Sequence, residues 1–261
     1  MRLALGLEYN GTPFTGWQSQ PEGTSGQDAL ERALAAIAGV PLRSIAAGRT
    51  DAGVHACMQV VHFDCEVERP LTAWVRGVNA HLPEAMAVLW AAPVPNEFHA
   101  RYSAMARHYT YYLADRPVRC ALFADRIGWH HRALDVDVMR EASACLVGTH
   151  DFSAFRAAEC QAKTPVKTMS TIDIRREGEL VRMSFSANAF LHHMIRNIVG
   201  SLVHVGAGKA PVSWMHELLE SRDRTRAAAT FAAQGLYFTG ADYPTGFELP
   251  ATRRALAFDP G

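Results

Sequence analysis

Gly48-Arg49-Thr50-Asp51-Ala52-Gly53-Val54-His55-Ala56 is the stretch from which the fold is read. Two glycines bracket a lone carboxylate, and an arginine stands two residues before it. Glycine serves where a chain turns sharply or lets another backbone approach closely. On these nine residues alone the ordinary reading is a strand-connecting turn, with Asp51 capping local amides. Residues from about Leu42 to Ala47 read as a strand entering it, and Met58 to Phe63 as a strand leaving it. Further back, Leu3, Leu5 and Leu7 alternate in a strand closed by Glu8-Tyr9-Asn10-Gly11. Ser25 then precedes Asp28 at N-cap spacing, and Leu30, Ala33, Leu34 and Ile37 repeat at helical spacing up to Gly39. In the loop between them, Trp17 is assigned to the core. Beyond the turn come a helix from about Leu71 to Ala80 and a strand from Ala87 to Trp90. The order is β-α-β-β-α-β, the split βαβ pattern of ferredoxin-like folds.

Past Pro93 and Pro95 the order of elements repeats, though not the residues. A strand at Tyr109 to Leu113 precedes a helix around Leu134 to Leu146. Two strands follow, Thr171 to Arg175 and Leu180 to Ser186, joined by Glu177-Gly178-Glu179. A long apolar helix, Phe190 to Val205, and a short strand, Leu236 to Phe238, complete the set. The expected class is therefore α+β. Two ferredoxin-like halves, residues 1–103 and 104–261, would leave a cleft between them, a common position for a ligand.

Lys plus Arg and Asp plus Glu both number 26, so bulk charge marks no nucleic-acid or membrane partner. A basic binding face would have to be local. Hydrophobic residues make up 49% of the chain, which argues against disorder. The five cysteines form no C-x-x-C pair and are odd in number, so reduced thiols in the cytoplasm are expected. The first eight residues hold too short an apolar run for a signal peptide, and no stretch approaches the ~20 apolar residues of a membrane span.

Several stretches carry candidate chemistry. Arg101, Arg107 and His108 are interleaved with Tyr102, Tyr109, Tyr111 and Tyr112. Cations for phosphates and rings for bases suit a flexible nucleic-acid strand. Alternating tyrosines equally suit a β-strand, which accounts for most of them and leaves room for one functional ring. In Phe190-Leu191-His192-His193-Met194-Ile195-Arg196-Asn197 the apolar stripe predicts a buried helix. Arg196 on it either reaches the surface along the helix edge or faces a cleft with a carboxylate partner. His192-His193 is set aside as a metal pair, because adjacent helical residues diverge and a third ligand at fixed spacing is missing. Gly206-Ala207-Gly208-Lys209 lacks the spacing of a phosphate loop and reads as a helix C-terminus.

Taken together, these stretches resemble the tRNA pseudouridine synthases of the A type. The resemblance runs through Gly16-Trp17-Gln18, the stretch at 48–56, Phe98-His99-Ala100-Arg101-Tyr102-Ser103-Ala104 and Arg107-His108-Tyr109-Thr110-Tyr111. It continues in Gly148-Thr149-His150-Asp151-Phe152-Ser153-Ala154-Phe155 and in the Phe190 to Asn197 segment. It implies that Asp51 is the catalytic aspartate, Tyr109 the ring that stacks on the target base, and Arg196 the partner of the aspartate. Arg49 would help to displace the base and hold RNA, with Arg101 and Arg107 as further substrate-binding residues. The halves would join into one curved, mainly antiparallel sheet with helices packed on one face. The resemblance also implies a homodimer, no cofactor or metal, and uridines 38, 39 and 40 of the tRNA anticodon arm as targets.

Three departures concern loops. Gly26 stands where the family has Val, Asn10 replaces an aspartate, and the Thr230 to Leu236 segment lacks a proline. Two other classes of function suit the residues less well, an inert RNA-binding module and a metal-dependent nuclease. The first has no need of a carboxylate facing polyanionic RNA, and the second lacks a ligand cluster in the sequence.

Overall fold

The computed structural model describes residues 1–256, so the end of the expected second half lies outside the described residues. The strands in chain order are β1 (Arg2–Tyr9), β2 (Ile45–Ala46), β3 (His55–Asp64), β4 (Met86–Val94), β5 (Ala106–Asp115), β6 (Gly128–His130), β7 (Gly148–Asp151), β8 (Val166–Glu177), β9 (Leu180–Ala187) and β10 (Leu236–Asp242). The α-helices are α1 (Gly26–Ala38), α2 (Val78–His81), α3 (Val136–Ser143), α4 (Met194–Gly206) and α5 (Ser213–Ser221). A π-type stretch, Ala73–Gly77, runs into α2.

Two compact units result, residues 1–107 with 237–256, and residues 108–236. In the first, the strand order is β4-β1-β3-β10, and β2 pairs antiparallel with the far end of β3. Both neighbours of β1 are antiparallel to it, as a ferredoxin-like unit requires. The sequence placed the last strand with the second half. In the structure Tyr237 and Phe238 pair in parallel with His55 and Ala56, so β10 packs with the first unit.

α1 forms because Ser25 and Asp28 make a reciprocal capping box and Gly39, with φ 76°, closes the other end. Trp74 is fully buried and packs 5.2 Å from Phe63 of β3, which sets the helices on that face of the sheet. Trp17 is in the core as expected, 2% exposed and stacked 5.5 Å from Tyr9.

In the second unit the order is β5-β9-β8-β7, with β6 parallel on β5. β8 and β9 form a hairpin whose turn residue Gly178 has φ 56°. Asp135 caps α3, whose last turn tightens into a 3₁₀ turn, Ala144–Leu146. The expected helix at 190–205 begins four residues late, at Met194, and ends with Gly208 at φ 69°. Glycine-terminated, Gly206 to Lys209 is a helix end, as read. Close packing explains Gly200, where a Cβ would lie 2.2 Å from the Ala229 carbonyl oxygen.

Asp115 ends β5 inside this unit. Arg176 grips it with two bonds of 2.8 and 2.7 Å, and the Leu134 N–H donates a third. Burial would raise the Asp115 carboxyl, but Arg176 and Leu134 outweigh it and hold it below the ordinary range. A depressed carboxyl stabilises the fold above its unfolded value and loses that contribution as pH falls through the folded one. Asp115→Asn is expected to cost about 2 kcal/mol at pH 7, less than the ~3–5 kcal/mol of a fully buried pair because Arg176 is part-exposed. Paired melting curves check this. The gap between wild type and variant should be widest near neutral pH and shrink at pH 3.

Candidate active site

The Asp51 loop belongs to the first unit and is tied at Gly48, Thr50, Asp51 and Val54. The Gly48 carbonyl accepts from the Gln59 amide at 2.7 Å, and the Thr50 carbonyl from the Trp17 N–H at 2.9 Å. The Thr50 hydroxyl and the buried Tyr9 hydroxyl lie 2.8 Å apart in a hydrogen bond. Burial pushes the Tyr9 phenol up to about 12, over the opposing effect of Thr50 and Gln59, so it stays protonated. The Val54 N–H donates to the Asp51 carbonyl at 3.1 Å, closing the turn, with Gly53 at φ 77°. Gly11 lies so close that a Cβ there would sit 2.0 Å from the Val54 oxygen. Its N–H donates to Nδ1 of buried His55, which stacks 4.6 Å from Tyr237. The turn reading survives for the backbone. What the turn fixes is the position of the half-buried Asp51 side chain.

Two of the departures fall beside this loop. Asn10 keeps the acceptor role of an aspartate, since its Oδ1 takes the Thr12 N–H at 3.1 Å. Gly26 fits because a Cβ would meet Trp17 and Met86 at 3.3 Å, a tight contact.

The three arginines expected from sequence to bind substrate differ in use. Arg49 is exposed, and partial burial together with the nearby Arg101 lowers its pKa. Arg101 is exposed too, with its guanidinium 5.8 Å from the Tyr102 ring centre. Arg107 instead turns inward. It donates to the backbone carbonyls of Ala104 at 2.9 Å, Ala47 at 3.4 Å and Arg101. It therefore ties the Arg101 segment to the strand end that leads into the Asp51 loop.

In the second unit Tyr109 lies on β5, 9% exposed, with Phe190 edge-on at 5.1 Å. Arg196 sits in the first turn of α4, where its Nε donates to the Phe231 carbonyl at 2.9 Å. The Phe231 N–H answers to the Arg196 carbonyl at 3.1 Å. Next along α4, the buried Asn197 donates to the Phe155 carbonyl and accepts from Arg224 and Thr230. Tyr111 binds the same strap through the Ala232 carbonyl at 2.8 Å. Its phenol is raised far above the ordinary range by burial, with Arg196 opposing. Residues 230–235, the segment lacking the family's proline, are thus held by α4 and β5 through several bonds.

His192 and His193 are not on the helix, contrary to the sequence reading. They precede α4, with rings 4.0 Å apart, and His193 adopts a left-handed φ of 59° as the N-cap residue. The divergence argument does not apply to them. Sequence reading also missed Tyr9, Thr50 and Gln59 as supports of the loop. The signal was slight, a tyrosine ending a strand and a glutamine in a buried one.

Comparison with known proteins bears on the chain as a whole. The sequence profile described as tRNA pseudouridine synthase matches residues 7–103 and 142–244. A "tRNA pseudouridine synthase A" of Chromobacterium violaceum is 58% identical over 252 residues, covering 96% of each chain. Proteins of the same name from Thiobacillus denitrificans and Paraburkholderia phymatum are each 56% identical. The first covers 99% of each chain, the second 96% of this one and 94% of its own.

Proposed function

This chain belongs to the tRNA pseudouridine synthase family, an isomerase acting on tRNA uridine, and we propose that it acts at positions 38, 39 and 40 of the anticodon arm with Asp51 as catalytic carboxylate. The observation that carries the reading is the Asp51 loop, a carboxylate on a turn whose backbone is bound from both sides. Such pre-organisation is what a reacting group needs, since misplacement of about 1 Å is costly. The three positions rest on the resemblance to the A-type enzymes.

The reaction breaks the bond from uracil N1 to ribose C1′, turns the base, and joins C5 to C1′. The C5 proton leaves and N1 gains one, so nothing is oxidised or reduced. The base must first leave its stack, at a cost of a few kcal/mol. Asp51 serves either as a nucleophile adding to the sugar or base, or as a base removing a sugar proton. On the resemblance to the A-type enzymes we assign Arg196 to the aspartate as its guanidinium partner. Tyr109 covers the face of the target base. Arg49 and Arg101 meet phosphates, and Arg107 acts through the carbonyls it ties. Transcripts carrying a single uridine at 38, 39 or 40 test the positional claim. Product at other anticodon-arm sites only would contradict it.

A homodimer in the cytoplasm completes the reading. Among the described residues no helix is long and apolar enough to cross a membrane. Val118, Leu122, Phe123 and Trp129 leave large apolar side chains exposed on one short segment, surface that a second copy would cover. Sedimentation of the intact chain decides this; a monomer at working concentration refutes it.

Tyr9 is a positioning residue in this account. Tyr9→Phe removes one hydroxyl and leaves the Thr50 hydroxyl short of a buried partner. We expect kcat to fall about tenfold, with little change in KM or melting temperature. Thr50→Ser should retain most activity and Thr50→Val should behave like Tyr9→Phe. A melting point lowered enough to account for the lost rate would make the contact merely structural.

A further inference from the structure

The segment between β4 and β5 holds an aromatic pile whose outer ring has no assigned role. Its base is firmly seated. Phe98 is fully buried against Tyr243 at 5.3 Å and Phe247 at 5.1 Å. The Ala100 N–H donates to Nδ1 of buried His62 at 3.1 Å. His99 Nδ1 accepts from the backbone N–H groups of both Arg101 and Tyr102 at 3.2 Å, which fixes the imidazole plane. The His99 ring lies 4.7 Å from His62 and 4.3 Å from the Tyr102 ring, tilted by 32° to the latter. Three rings thus run from interior to surface and end in Tyr102, which is 77% exposed.

A single exposed aromatic is ordinary on a protein surface. Two features set Tyr102 apart. Its inner face is backed by a ring that the backbone holds in place, so little side-chain freedom remains to be lost on binding. It is also flanked by Arg101 and Arg49, neither of which makes an ion pair among the described residues. Burial lowers the pKa of His62 to about 4, with His99 and Arg2 adding to the effect, and His99 is lowered as well. Both imidazoles are therefore biased towards the uncharged form, and the local cations are the arginines. A flat neutral ring between unpaired guanidinium groups is the combination that single-stranded nucleic acid uses, with a base on the ring and phosphates on the cations.

We infer that Tyr102, backed by His99 and flanked by Arg101 and Arg49, is a stacking platform for an unpaired nucleobase of the tRNA other than the reacting uridine. It rests on tRNA being the substrate and is independent of the role given to Asp51. The bonds of Arg107 to the Arg101 and Ala47 carbonyls join the platform to the chain entering the Asp51 loop. A base seated there would set the register of the RNA on this unit.

The test measures equilibrium binding of an unmodified tRNA transcript to the full chain, across a salt series, for four variants. Tyr102→Ala and Tyr102→Leu should each weaken binding about tenfold, and Tyr102→Phe should bind like wild type. The slope of log affinity against log salt should be unchanged in all three. Arg101→Gln should lower that slope by about one ion. As a direct readout, emission of the indole in Tyr102→Trp should be quenched or shifted by saturating tRNA, beyond the change seen in wild type. Wild-type affinity in Tyr102→Ala, or loss shared equally by Tyr102→Phe, would overturn the platform. Wild-type protein that fails to bind tRNA would overturn the platform together with the substrate reading.

Discussion

Asp51→Asn is expected to abolish pseudouridine formation, a fall on the order of 10³-fold or more, while tRNA affinity stays within a few-fold. The substitution changes one oxygen for an amide and nearly preserves shape. The loop itself is held by the Gly48, Thr50 and Asp51 carbonyls and by the Tyr9–Thr50 hydroxyl pair. None of these bonds uses the carboxylate. An amide can neither add to an electrophilic carbon nor take a sugar proton as a carboxylate does. Single-turnover assays with excess enzyme, set beside filter binding, separate chemistry from affinity. Surviving turnover would move the catalytic role elsewhere; lost binding would make Asp51 a structural or RNA-holding residue.

Arg196→Lys should lower turnover about a hundredfold. The guanidinium is a planar fork with an additional Nε donor, whereas an ammonium is a point charge on a flexible stem. Nε of Arg196 is committed to the Phe231 carbonyl, which aims the rest of the group. Lysine cannot hold that bond and present a second, parallel pair of donors. Loss of one preorganised charged donor costs about 10²–10³-fold in catalysis. The backbone bond from the Phe231 N–H to the Arg196 carbonyl remains, so melting should change little. The rate and the melting curve of the same preparation check both parts. Full activity in the variant would show that Arg196 only holds the strap at 230–235.

Short-range signals explain which elements were legible in the sequence. The capping box at Ser25 and Asp28, the turn at Gly178 and the glycine end of α4 each act within a few residues, and each stands where it was read. β6 and β7, of three and four residues, are too short to show alternation, and α5 was passed over. The start of α4 was misplaced because Phe190 to His193 continue its apolar pattern without helical backbone. The parallel pairing of β10 with β3 has no sequence signal, because it joins residues nearly two hundred positions apart. No local pattern records that choice.

The candidate site divides along the same line. Arg49, Asp51, Arg101 and Arg196 stand in recognisable strings. Their supports do not. Tyr9 meets Thr50 across forty-one residues, and Tyr111 meets Ala232 across more than a hundred. Arg107 looked like its basic neighbours in sequence, and only its carbonyl partners show that it turns inward.

Conversion of uridine to pseudouridine in tRNA by the chain's own side chains is the activity proposed. The most direct measurement is pseudouridine content of an unmodified tRNA transcript after incubation with the protein in EDTA. Product is expected in the anticodon arm, at the same yield with or without the chelator. Absence of product from folded, RNA-bound protein would contradict it, as would activity lost to EDTA and restored by a metal ion.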